Sequence, residues 1–394
     1  MANVFRDAAA VGPDGVEVRR VGIVMNGVTG RMGTNQHLVR SILAIREQGG
    51  VAIGAGERLW PEPLLVGRDE RKLRALAEPH GLDYTTDLDA ALADDAYPVY
   101  FDAQVTSRRA EAVRAAIAGG RHVYCEKPIS EDLESALELA RLADAAGVKH
   151  GVVQDKLFLP GIRTLKRVLD SGQLGRVLAV RGEFGYWVFP GPDPEPQRPS
   201  WNYRAEDGGG IVADMFSHWR YVLDELFGSV TGVYALGATH LPRRYDERGE
   251  PYDATAEDAA YAIFELAGGV VAQLNSSWCV RVDRGELFEL QVDGTDGSAV
   301  AGLRECRIQP GAATPRAVWN PDLPDPIDHR AGWLPVPATD TDNAFKVQWE
   351  RFLRHVELDE PFPWDFRAAA RGVQLAELGL RSWREKCFLE VPPL

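Results

Sequence analysis

The chain has 394 residues, with 44 Lys and Arg against 58 Asp and Glu and a formal net charge of -14. A hydrophobic share of 45% and a charged share of 26% mark a folded globular protein, and at about 100–200 residues per domain the length favours two. So acidic a chain repels phosphate backbones, which argues against nucleic acid or an anionic membrane as its main partner, although a local helix N-terminus can still hold a phosphorylated cofactor.

Residues 1–20 hold no apolar run with a small-residue cleavage site, so no leader is expected. Residues 21–25 are apolar and run into a glycine cluster, which predicts a buried strand. Residues 32–47 predict a helix ended by Gly49 and Gly50. Residues 64–66 predict a second short strand, followed by a helix with Leu73, Leu76 and Ala77 on one face and a short helix over 87–92. A strand over 98–103, a helix carrying Ala110, Val113 and Ile117, and a strand over 122–125 come next. Ser130 is the expected cap of the following helix, with Glu131 and Asp132 in its first turn. Its buried face is expected at Leu133, Ala136, Leu137 and Ala140, with Gly147 as its stop and a strand over 148–153 beyond. This alternation predicts a parallel sheet covered by helices on both faces, a Rossmann-type α/β domain over residues 1–150.

Strands then dominate, over 177–188, 230–236, 259–266, 270–278, 287–292 and 299–309, with helices over 161–170, 211–226, 344–358 and 366–386. Residues 151–394 therefore read as a second, α+β domain on an open, mostly antiparallel sheet, whose last helix is a candidate to pack back on the first domain. The proline-rich stretch 190–199 reads as a loop. No stretch reaches about eighteen consecutive apolar residues, so no membrane span is expected. Cys125, Cys279, Cys306 and Cys387 lack metal-type spacing and fit reduced thiols in the cytoplasm.

Gly27-Val28-Thr29-Gly30-Arg31-Met32-Gly33 follows the first strand and opens the first helix. GxxGxxG is a variant of the dinucleotide fingerprint, in which glycines permit a tight turn and close approach of a pyrophosphate to a helix N-terminus. A ligand-free glycine turn is the plain alternative, and the strand–turn–helix context weighs against it. The second strand ends Leu65-Val66-Gly67-Arg68-Asp69, with glycine where an acidic residue would bind the ribose 2′-hydroxyl of NAD. Arg68 can pair with a 2′-phosphate, which leans towards NADP; Asp69, one place late, leaves NAD open.

The strand 122–125 ends in Glu126-Lys127-Pro128, at the end of a parallel strand where ligands bind such sheets. Further on, Gly208-Gly209-Gly210 precedes Asp214 and His218, which stand four residues apart on one helix face. With the glycine loop and the run from Ala118 to Pro128, these motifs resemble, over nearly the whole chain, the Gfo/Idh/MocA (glucose–fructose oxidoreductase, inositol dehydrogenase, MocA) family. The resemblance implies NAD or NADP on the Rossmann domain, a sugar, glycoside or cyclitol as substrate, and Lys127, Asp214 and His218 as the catalytic set. It also implies a homodimer or homotetramer through the second-domain sheet.

On that resemblance, hydride is expected to pass from a C–OH carbon to the nicotinamide, with His218 able to take the proton and Lys127 able to stabilise the developing alkoxide. The expected cofactor contacts are Gly27, Thr29, Gly30, Arg31, Met32, Gly33, Arg68, Thr106, Glu126 and Lys127. The expected substrate contacts are Lys156, Trp187, Trp201, Tyr203 and Arg204; aromatic rings stack on sugar C–H faces, while Arg meets hydroxyls or a carboxylate. The loop Gln104-Val105-Thr106-Ser107-Arg108-Arg109 lacks the Pro and His often found there in that family, and the link 49–63 is longer than usual. No third and fourth ligand accompany Asp214 and His218, so a metal is not expected. The alternatives are a same-fold enzyme that oxidises transiently with a retained cofactor, and a catalytically silent dinucleotide sensor.

Overall fold

A computed structural model of the chain describes residues 10–11, 17–192, 198–320, 322–323, 328–339 and 342–394. It divides into two compact units, Met1–Phe158 with Asp342–Val373, and Leu159–Thr341 with Gln374–Leu394. The first unit thus takes in residues 151–158 and 342–373, beyond the expected boundary at 150, because the chain returns to it after completing the second.

In the first unit the elements run β1 (Ala10–Val11), β2 (Glu17–Asn26), a helix with π turns over Gly33–Leu43 and α turns over Ala44–Glu47 (together α1), β3 (Val51–Gly54), β4 (Glu57–Val66), α2 (Glu70–Ala77), β5 (Asp83–Thr85), α3 (Leu88–Ala93), β6 (Val99–Asp102), α4 (Thr106–Ala118), β7 (His122–Cys125), α5 (Leu133–Ala146) and β8 (His150–Val152). The sheet order is β3-β4-β2-β6-β7-β8, with β5 also on β4 and β1 on β2. The pairs β2–β4, β2–β6, β4–β5, β6–β7 and β7–β8 are parallel. Strand order reverses at β2, the switch point beside which doubly wound sheets hold their ligands.

Three local readings change. The second strand is ten residues long, because Leu59, Pro61 and Pro63 are buried at alternate positions; prolines at inward places hid the period. They fall where β4 has β2 on one side and neither β3 nor β5 on the other, so a missing N–H interrupts no ladder on that side. The extra length of 49–63 is spent on the β3–β4 hairpin. The cap of α5 is Asp132, which accepts the Ser135 N–H at 2.8 Å, rather than Ser130, which donates to the Asp132 carbonyl. Its buried residues are Ala136, Leu139, Ala140 and Ala143, so Leu133 and Leu137 lie at the edge of that face. They join a core with Val113, Val123 and Ile129, to which Phe366, Ala370 and Val373 are added from the chain's end.

The second unit runs through α6 (Pro160–Asp170), β9 (Val177–Gly185), α7 (Ile211–Phe227), β10 (Val230–Ala238), β11 (Arg243–Tyr245), β12 (Pro251–Asp253), β13 (Ala259–Leu266), β14 (Val271–Ser277), β15 (Phe288–Gly294), β16 (Gly297–Gly302), β17 (Cys306–Pro310) and β18 (Leu334–Val336). After α8 (Ala344–Leu358), which belongs to the first unit, α9 (Phe366–Glu385) spans both and β19 (Leu389–Glu390) ends in the second. The nine-stranded sheet is ordered β18-β17-β16-β15-β9-β14-β13-β10-β19, and only β9–β14 among its pairs is parallel. The strand expected over 299–309 is a hairpin, β16 and β17, turning where the Gly302 N–H meets the Glu305 carbonyl. α7 covers one face: Trp219 stacks on Phe288 at 5.2 Å and Phe216 meets Phe264 edge-on at 5.4 Å. Of the proline-rich loop, 193–197 lie outside the described residues.

Candidate functional site

The glycine loop sits at the C-terminal end of β2. Gly27 has φ +76°, and a Cβ there would stand 2.6 Å from the amide nitrogen of Gln104, so only glycine closes this turn. At Gly33 a Cβ would stand 2.8 Å from the carbonyl oxygen of Gly27. Gly30, by contrast, is exposed, and a Cβ there would meet only that oxygen, at 3.4 Å. Two glycines pack the loop and the third leaves bare backbone at a helix start, which fits a pyrophosphate. Thr29 and Met32 flank it half-buried, and Arg31 is exposed. The Thr34 hydroxyl donates to the Val28 carbonyl at 2.7 Å and fixes the curl.

At the end of β4, Arg68 is exposed, while Asp69 caps α2 by accepting the Lys72 N–H at 3.1 Å. Thr106 opens α4 from the end of β6.

Lys127 follows β7, half-buried, with its backbone N–H donated to Oε2 of Glu126 at 3.1 Å. Glu126 is 7% exposed, and its Oε1 lies 2.8 Å from Nε2 of His37, which is fully buried. Nε1–H of Trp349 can only donate, so Nδ1 of His37 accepts it at 3.0 Å and Nε2 carries the proton given to Glu126. Burial pushes the Glu126 carboxyl up, but the His37 hydrogen bond and the charges of Lys127 and Arg109 hold it below its ordinary range. The carboxylate beside Lys127 is therefore ionised and rigidly held. His37 stands one helical turn beyond Gly33, a signal that sequence reading passed over; Trp349, 312 residues away, gave none.

In the second unit, α7 carries the expected Asp and His. Gly208 and Gly210 have positive φ, and a Cβ on Gly210 would strike the Glu257 carboxylate at 2.5 Å. That carboxylate and its backbone carbonyl accept the N–H groups of Val212 and Ile211, so the triple glycine lets Glu257 cap the helix. Asp214 in the first turn accepts from Arg198 at 3.0 Å. Arg198 also donates to Tyr186 at 2.9 Å and Asn202 at 2.7 Å and lies over the Trp278 ring at 4.2 Å. It was missed because a loop arginine has no periodicity to mark it. His218 is 5% exposed, with Nδ1 2.6 Å from the Tyr221 hydroxyl.

The residues expected at the substrate divide by environment. Trp201 is 45% exposed. Trp187 is half-buried under the Arg281 guanidinium at 3.6 Å, and Arg204 lies over Tyr252 at 4.7 Å. Tyr203 is 1% exposed, with Arg244 over its ring at 3.7 Å and Trp278 edge-on at 5.3 Å, so its ring is packing for this cluster. Lys156 belongs to the first unit and pairs with Asp155 at 2.5 Å. Among the described residues no group of three or more His, Cys, Asp or Glu is gathered to hold a metal ion, and no helix is long and apolar enough to cross a membrane.

Residues 22–154 match the model of an oxidoreductase family with an NAD-binding Rossmann fold, and residues 162–300 that of the GFO/IDH/MocA C-terminal domain. D-xylose dehydrogenase of Paenarthrobacter nicotinovorans is 53% identical over 380 residues, 95% of this chain and 98% of that protein. Levoglucosan dehydrogenase, solved in complex with NADH and levoglucosan, shares the fold with a TM-score of 0.77 at 19% identity, covering 95% of this chain and 100% of the other. The WlbA dehydrogenase of Bordetella pertussis, solved with NADH and UDP-GlcNAcA, shares it with a TM-score of 0.71 at 20% identity over 95% of this chain and 99% of the other. With both family models matched in order and half of its residues shared with a dehydrogenase along nearly its full length, the chain belongs to the Gfo/Idh/MocA family of NAD-binding oxidoreductases.

Proposed function

We propose that the protein is a sugar dehydrogenase acting on D-xylose or a closely related aldose, with NADP as the preferred coenzyme. The observation that carries the substrate is the 53% identity to a D-xylose dehydrogenase over 95% of the chain. The loop 27–33, with Arg68, Thr106, Glu126 and Lys127, is the proposed dinucleotide site. Exposed Arg68 supports NADP, and the engagement of Asp69 as a helix cap supports it further. When bound, the nicotinamide ring supplies the acceptor for the carbon-bound hydrogen and its electron pair.

The protein's own residues handle the proton. Lys127 donates a hydrogen bond to the reacting hydroxyl and stabilises its developing negative charge. His218 accepts the proton; Tyr221 engages Nδ1, so the exchange falls to Nε2. Asp214, held by Arg198, orients a neighbouring sugar hydroxyl. Trp187, Trp201 and Arg204, with Lys156, are the proposed sugar contacts. In the reducing direction the same groups act as acids. Tyr234, Leu236, Tyr261, Ile263 and Val271 stand exposed on the sheet face opposite α7 and support association with a second copy of the chain.

The test is absorbance at 340 nm with D-xylose, other aldoses, glycosides and cyclitols, run in parallel with NADP and NAD. Turnover with an aldose, reduced by about 10²–10⁴-fold in Lys127→Ala and His218→Ala, is expected. Consumption of sugar without net coenzyme reduction would replace this reading with transient oxidation on a retained cofactor.

A further inference from the structure

We infer that Arg109 is a positioning residue, clamping the turn that carries Lys127 to the loop that ends β6. The inference rests on the reading of Lys127 as catalytic.

Arg109 lies in α4 yet is 3% exposed. A guanidinium is buried only when its donors are satisfied, and all three of its nitrogens are engaged. Nε donates to Oδ1 of Asp102 at 3.1 Å, Nη2 to the carbonyl of Gln104 at 2.6 Å, and Nη1 to the carbonyl of Pro128, the residue after Lys127. Its anchor is equally committed. The fully buried Asp102 carboxylate accepts the Tyr100 hydroxyl at 2.7 Å, the Gln104 backbone N–H at 3.0 Å and the Gln104 side-chain amide at 2.8 Å. Tyr100 in turn accepts from Asn26 at the end of β2, 3.0 Å away.

The pair therefore ties three consecutive stations along the binding edge of the sheet: the end of β2, the loop after β6, and the Lys127 turn after β7. Lys127 is then held from both sides, by Glu126 before it and by the Pro128 carbonyl after it. A planar fork with three nitrogens in use fixes orientation as well as distance, which a lysine at the same place cannot do. Arg109, donating to the Gln104 carbonyl and to the Pro128 carbonyl at once, couples the loop to the turn. The segment that looked incomplete in the sequence, without its Pro and His, is held together by this arginine instead.

The experiment measures kcat, sugar KM, dinucleotide binding by fluorescence, and melting temperature in Arg109→Lys and Arg109→Ala, using the full chain. In Arg109→Lys, kcat falls about a hundredfold, as for an ångström-scale misplacement, while sugar KM and dinucleotide Kd stay within about threefold. In Arg109→Ala, added guanidinium restores turnover saturably and ethylammonium does not. Arg109→Lys keeps a cation opposite Asp102 and stands in if Arg109→Ala fails to fold. Unchanged kcat in a folded variant overturns the inference, as does a loss of turnover that only follows the melting temperature and ignores guanidinium. Lys127→Ala turning over at the wild-type rate would instead overturn the reading of Lys127. An inactive Lys127→Ala beside fully active Arg109 variants would leave that reading standing and remove the clamp.

Discussion

Lys127 illustrates how far the setting of one side chain is fixed by the residues behind it. Its neighbour Glu126 is kept ionised inside the protein by a histidine whose tautomer is set by an indole N–H. A buried charge of this kind persists only when every partner is in place. At the other end of the proposed dinucleotide site the proposed determinant is a solvated side chain, Arg68. Arg68→Ala is expected to lower kcat/KM with NADP about tenfold relative to NAD, the value of one charge-assisted contact. Steady-state kinetics with both coenzymes checks this, and an equal loss with each would remove Arg68 from the ribose phosphate.

At the scale of elements, small polar residues decide where helices begin. Asp69, Asp87 and Asp132 each cap a helix by accepting an N–H three residues on. Asp132 matters most, because α5 packs its alanine face into the first unit's core. Asp132→Ala should destabilise the protein by about 1 kcal/mol, seen as a lower urea midpoint with unchanged slope. A midpoint equal to wild type would show that water replaces the cap without cost. In the second unit the cap of α7 is supplied from afar by Glu257, whose carboxyl is pushed up by burial. The triple glycine thus belongs to the architecture of that helix start, and Asp214 inherits its position from it.

For the molecule as a whole, two expectations follow from burial and exposure. His122, at the start of β7, has its pKa lowered to about 4, first by burial and then by Lys149, His355 and Arg121. The unfolded chain titrates near the ordinary value of 6.5, so between these values it binds a proton that the native state refuses. This stability is complete above pH 6.5 and is lost as the pH falls towards 4, a change of about 2 kcal/mol once screening of the exposed ring edge is discounted. Urea unfolding at neutral pH and near pH 4.5 should show less acid sensitivity in His122→Gln, which keeps an acceptor for the Lys149 N–H. Identical acid sensitivity would clear His122. The second expectation concerns the open sheet face. Light scattering should find an oligomer that Leu236→Glu with Ile263→Glu dissociates; a monomeric wild-type chain at micromolar concentration would end that proposal.

Sequence alone determined what depends on near neighbours. Alternating strands and helices, the glycine loop, the strand end at Glu126-Lys127-Pro128 and the spacing of Asp214 and His218 all stand within a few residues of the features that give them meaning. Fold class and family were therefore available from the chain itself. Tertiary structure decided whatever depends on contacts between distant segments. It returned 342–373 to the first unit, set Trp349 on His37, stacked Tyr203 out of solvent, seated Glu257 on α7 and turned Arg109 inward to Asp102 and Pro128. The reason is physical: an apolar period or a cap is written along the backbone, whereas the partner of a buried charge is chosen by where the folded chain leaves an unsatisfied group.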